Sequence, residues 1–91
     1  MPVIIQDSFG DVLARSKNLR GVLTYARRHP VKRASVYRKG EGANVAFHFQ
    51  GDASCTVAFA SFDVAWQWIE SRRSWRLHLT GHSATLRDYV A

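Results

Sequence analysis

The sequence predicts an α+β fold: a single small domain in which an antiparallel sheet, an N-terminal hairpin plus a three-stranded meander, carries two helices packed on one face. Three observations predict it. Residues 44–50 and 54–60 alternate apolar and polar side chains, the period of a half-buried strand, and short glycine-bearing links bound them. Residues 19–26 and 62–69 repeat apolar side chains at the spacing of one helical face. The 91 residues, 46% hydrophobic, suit one domain, because domains run from about 50 to about 250 residues.

The elements follow in order. Val3-Ile4-Ile5 and Val12-Leu13-Ala14 flank the turn-rich Asp7-Ser8-Phe9-Gly10-Asp11, the pattern of a hairpin. Ser16 or Asn18 caps a helix running to about His29, with Leu19, Val22, Leu23 and Ala26 on its apolar face. Pro30 ends it by pushing the preceding residue out of the helical region. Strands are expected over Lys32–Arg38, Asn44–Gln50 and Ser54–Ala60, joined through Lys39-Gly40-Glu41-Gly42-Ala43 and Gly51-Asp52. Ser61 opens a second helix to about Arg73, with Asp63 favourable in its first turn. Phe62, Ala65, Trp66 and Ile69 share its core face, widened by Val64 and Trp68, leaving Gln67, Glu70 and Ser71 outside. Trp75, Leu77 and Leu79 alternate as a sixth strand, and Gly81 and Ser83 are expected to open a short terminal helix holding Leu86, Tyr89 and Val90.

Composition narrows the class. Three Trp, three Tyr and five Phe supply apolar surface to offset an ordering cost of roughly 1–2 kcal/mol per residue, so a folded chain is expected. No apolar run approaches the ~18 residues that cross a bilayer. Met1-Pro2-Val3 lacks the basic and apolar segments of a signal peptide, and the single Cys55 has no internal disulfide partner. These features predict a cytoplasmic protein with no membrane contact. A sheet edge left open by so small a meander offers a route to a homodimer.

The net charge of +6 is segregated. Between Val12 and Gly40 stand nine cations, Arg15, Lys17, Arg20, Arg27, Arg28, Lys32, Arg33, Arg38 and Lys39, and no carboxylate; the remainder carries four cations and seven acids. At about 100° per residue, the first helix turns Arg20, Thr24, Arg27 and Arg28 away from its apolar face. A one-sided cationic field attracts polyanions and aligns them before contact, although a basic surface also serves solubility alone.

Catalytic chemistry is poorly provided for. His78 and His82 have the separation of two metal ligands on a helical turn, but Gly81 breaks that turn and no paired-cysteine or His-Glu-x-x-His pattern accompanies them. Neither a metal site nor a cofactor is expected. Ser83 or Cys55 with His82 and Asp88 would be needed for nucleophilic catalysis, yet no Gly-x-Ser-x-Gly elbow surrounds the serine. The acids are scattered, and Gly40-x-Gly42 joins two strands, so neither acid–base work nor dinucleotide binding is indicated. His48 is expected on the outer face of its strand and Cys55 in the core. No catalytic residue is assigned, and the protein is expected not to be an enzyme.

Nucleic-acid binding is better founded. Backbone phosphates require only lysine and arginine presented on a rigid element, and Arg20, Arg27, Arg28, Lys32 and Arg33 form the candidate set. Five phosphate contacts on duplex DNA imply a log–log salt slope of about −4 to −5. Protein–protein recognition is the alternative, through Trp68, Arg72, Arg73 and Trp75, since tryptophan and arginine are enriched at binding hot spots.

Helix, three-stranded meander and helix over about residues 18 to 73 resemble, in topology, a double-stranded RNA-binding domain, which implies a two-layer α+β fold. That family opens its second helix with a lysine cluster that grips phosphates; the matching stretch here is Ser61-Phe62-Asp63-Val64-Ala65-Trp66. Its histidine-containing loop is replaced by the link Gly51-Asp52, so the resemblance does not carry RNA binding over. The stretches Ser16-Lys17-Asn18-Leu19-Arg20, Phe59-Ala60-Ser61 with Trp68, and Arg72-Arg73-Ser74-Trp75 resemble the short arginine-rich proteins of phages and prophages. That resemblance implies an accessory protein that binds host machinery or phage nucleic acid without catalysis.

Overall fold

The computed structural model describes residues 2–91. Its strands are β1 (Val3–Gln6), β2 (Val12–Ser16), β3 (Val31–Lys39), β4 (Gly42–Phe49), β5 (Ala53–Phe59), β6 (His78–His82) and β7 (Leu86–Val90). Helix α1 (Arg20–Ala26) links β2 to β3, and α2 (Phe62–Glu70) links β5 to β6. All seven strands form one antiparallel sheet in the order β2-β1-β5-β4-β3-β7-β6.

The meander forms as its pattern dictates. Ala43, Val45, Phe47 and Phe49 of β4 are buried, as are Ala53, Cys55, Val57 and Phe59 of β5, with Val45 opposite Val57 and Phe47 opposite Cys55. Gly40 and Gly51 take φ +60° and +85° in the two turns, a backbone region that side chains with a Cβ disfavour. Both helices cover the same face. Tyr25 of α1 meets Phe49 edge-on at 4.8 Å and Trp68 of α2 meets Phe47 at 5.9 Å, and both phenylalanines point to one side of β4. His48, between them, lies on the opposite, uncovered face, and Cys55 is buried.

Four expectations need correction. The sheet has seven strands because the segment after Ser83 is a strand rather than a helix. Without β7 the outer edge of β3 would leave its backbone groups unpaired; Arg33 through Tyr37 instead pair with Val90 through Leu86. The sixth strand begins at His78, three residues later than the alternation implied, because Arg73–Trp75 forms a 3-10 turn closed by Arg76 at φ 53°. Its Trp75 ring is thereby free to pack edge-on against Phe47 and Trp68. Trp66 is only half-buried and Val64 is exposed, so the buried stripe of α2 is Phe62, Ala65 and Ile69. Helix α1 ends at Ala26, and Arg28 and His29 close a turn on the Tyr25 carbonyl before Pro30.

No helix of the described residues is long and apolar enough to cross a membrane. The edge strands are β2 and β6.

Phe47 sits where both layers meet. Phe47→Ala should lower unfolding stability by about 3–5 kcal/mol, measured by urea denaturation. Burial pushes the Cys55 thiol up to about 12. Ellman's reagent at neutral pH should therefore label it only as fast as the domain opens, and rapid labelling of the native protein would contradict the burial.

Candidate nucleic-acid interface

The carboxylate-free run does not form one surface. Its cations separate because β3, nine residues long, spans roughly 30 Å at about 3.3 Å per residue. Arg38 and Lys39 stand at one end, where Arg38 donates to the Ala84 carbonyl and lies over the Phe62 ring. Lys32 and Arg33 stand at the other.

Of the five residues expected to act together, Arg20, Arg27 and Arg28 do converge. They line a groove of about 630 Å³ between α1 and the β1–β2 hairpin, with His29 beside them. Strand β2 also borders it, but Arg15 pairs with the exposed Ile4 and alternates with Ala14 and Ser16, so its side chain leaves the sheet on the face away from α1. Its apolar lining includes Val3, Ile5, Leu13 and Tyr25. No Asp or Glu lines it. The two ion pairs among the described residues are Arg33–Asp88 and Arg87–Glu70, so the three groove arginines stay un-neutralised.

Local chemistry sets the groove. Asn18 Oδ1 accepts from the Arg20 N–H at 3.0 Å, and Ser16 Oγ donates to the Asn18 carbonyl, turning the chain from β2 into α1. Gly21 then rests on Ser16: a Cβ at position 21 would clash with the serine Cβ, so only glycine lets the helix approach the strand this closely. The Tyr25–His29 stack, 4.6 Å between ring centroids, is an i, i+4 contact that the spacing alone could have revealed.

Lys32 and Arg33 do not join this groove, which corrects the predicted site. Lys32 Nζ donates to the Gly51 carbonyl. Arg33 makes a forked pair with Asp88, at 3.2 and 2.6 Å, and Ser35 Oγ donates to the same carboxylate at 2.6 Å. Burial raises the pKa of Asp88, but the bonds from Ser35 and Arg33 outweigh it and hold the carboxyl below its ordinary value. The acid that neutralises Arg33 lies 55 residues away in sequence.

In the alternative set, Trp68, Arg72 and Trp75 are partly buried and Arg73 is exposed. Trp68 and Trp75 are half-buried, packed on each other at 5.6 Å and on Phe47. Arg72 lies over the Trp68 ring at 4.6 Å, and Arg73 is exposed in the 3-10 turn. A second depression of about 630 Å³ holds Arg72, Arg73 and Arg76, but Glu70 lines it too. That carboxylate accepts from Arg87 and from the Tyr89 hydroxyl; burial and Glu70 together raise the phenol's pKa.

Among the described residues no three His, Cys, Asp or Glu side chains gather as a metal site. Ser83 Oγ accepts from the backbone N–H groups of Thr85 and Leu86, so it organises the β6–β7 turn. No protein-family model, curated protein or solved structure gives a significant match to the chain.

Because the folded pKa of Asp88 is depressed, its contribution is complete above the unfolded value of about 4 and fades as pH falls through the folded one. Asp88→Asn should therefore destabilise the domain by about 1–2 kcal/mol at pH 7, a thermal midpoint roughly 4–16 °C lower. The two proteins should converge in strong acid; a gap that persists there would place the effect elsewhere.

Proposed function

We propose that this protein is a non-catalytic binding module that holds a nucleic-acid backbone in the groove between α1 and the β1–β2 hairpin. The observation that carries this reading is the gathering of Arg20, Arg27 and Arg28 about a concave surface with no acid in its lining. Three positive charges along one side of a cleft match a phosphate chain, and arginine's planar fork binds phosphate oxygens in pairs. The open side lies in solvent, so the field acts on an approaching polyanion before contact.

Several groups that hydrolytic chemistry would use are engaged elsewhere. Asp88 and Glu70 hold ion pairs, Ser83 caps a turn and Cys55 is buried. The protein-partner reading has less support, because the tryptophans meant to anchor it pack against Phe47.

The doubly substituted Arg27→Glu, Arg28→Glu protein should bind a mixed-sequence oligonucleotide more than tenfold more weakly at low salt, read by fluorescence anisotropy, with its thermal midpoint retained. Both side chains are exposed and unpaired, so stability is not at stake. The wild-type salt slope should be about −2 to −3 for three phosphate contacts. Unchanged affinity in the variant removes the reading.

A further inference from the structure

Resting on the basic-groove reading above, we infer that the ligand is single-stranded nucleic acid, with bases stacked on Phe9 and on the Tyr25–His29 pair at one end of the groove. The hairpin tip displays Phe9 at 89% exposure, on a loop that is tightly bonded rather than loose. Asp7 Oδ1 accepts from the N–H groups of Phe9 and Asp11, the Asp7 N–H donates to the Asp11 carbonyl, and Ser8 donates twice to the Asp52 carboxylate. A large aromatic ring held in water by that many bonds costs hydration and contributes no packing, which is the property of a stacking platform.

The tip belongs to the same end of the molecule as the exit of α1. The β4–β5 turn joins them: Asp52 accepts from Ser8, the Gln50 N–H donates to the Pro30 carbonyl, and Lys32 Nζ donates to the Gly51 carbonyl. There His29, exposed, stacks on Tyr25 with an interplanar angle of 24°, and both rings line the groove. A ligand following the arginines past His29 thus runs toward Phe9. Asp7, Asp11 and Asp52 surround the tip, which suits it to uncharged base faces and not to phosphates.

The shape disfavours a duplex. Reading the base edges of a duplex takes an element that projects into a major groove about 12 Å wide. Helix α1, seven residues and roughly 10 Å long, is instead one wall of a cleft whose other wall is the hairpin. Single strands offer the unpaired bases that aromatic rings take up, and duplexes keep theirs stacked inside.

The test compares three probes at low salt by fluorescence anisotropy and competition: an oligothymidylate of about twelve nucleotides, a duplex of equal length, and inorganic polyphosphate. The single strand should bind at least tenfold more tightly than the duplex. Phe9→Ala, which removes no packing, should weaken single-strand binding roughly 5- to 100-fold and leave polyphosphate competition unchanged. Equal binding of strand and duplex, with Phe9→Ala indistinguishable from wild type, overturns the inference and leaves the basic-groove reading standing. Failure of all three probes to bind overturns both.

Discussion

Everything in this domain is hung on one side of β4. Its alternation commits Ala43, Val45, Phe47 and Phe49 to a single face, and each layer of the molecule reaches that face through an aromatic ring: Tyr25 from α1, Trp68 from α2 and Trp75 from the turn after it. A strand buried on one face cannot slip by one residue without exposing that whole row. The register of β3 and β5 is therefore pinned, and with it the face on which both helices lie. The topology is consistent with the same constraint. The crossovers β2–α1–β3 and β5–α2–β6 run in the same direction across the sheet, so one handedness places both helices on one side.

The groove is a consequence of that arrangement. Helix α1 has to span from an edge strand to the fifth position of the sheet, and its buried residues, Val22 and Ala26, are small. It rests against β2 through Gly21 and Ser16, leaving a cleft toward the hairpin where longer side chains project. Three arginines along one cleft repel one another, but at high dielectric and physiological salt, with a screening length of about 8 Å, the repulsion is weak. The same charges act together on a polyvalent ligand, so a surface nearly neutral for folding need not be neutral for binding.

The hairpin, the meander and both helices were legible because their signals are local: period two, helical spacing, turn glycines and the serine cap whose Oγ accepts from the Val64 N–H. The terminal strand was not. Leu86, Tyr89 and Val90 fit a helical spacing as well as a strand, and the choice was made by the vacant edge of β3 and by Arg33 and Ser35, which bond Asp88 in the folded sheet. Trp66 misled for a related reason: its place on the helical wheel said core, whereas the indole donates to Asp63 and lies beneath the Arg87 guanidinium at the edge of the layer.

By itself the sequence determined the alternating strands, the positions of the turns and the absence of acids from Val12 to Gly40, since each depends on residues a few positions apart. Tertiary structure decided which of those cations belong together. It set Arg20, Arg27 and Arg28 along one cleft, turned Arg15 to the other face of the sheet, and gave Arg33 to Asp88, because a charge is neutralised by what lies near it in space. Strand pairing brings residues into reach across separations that no local pattern encodes.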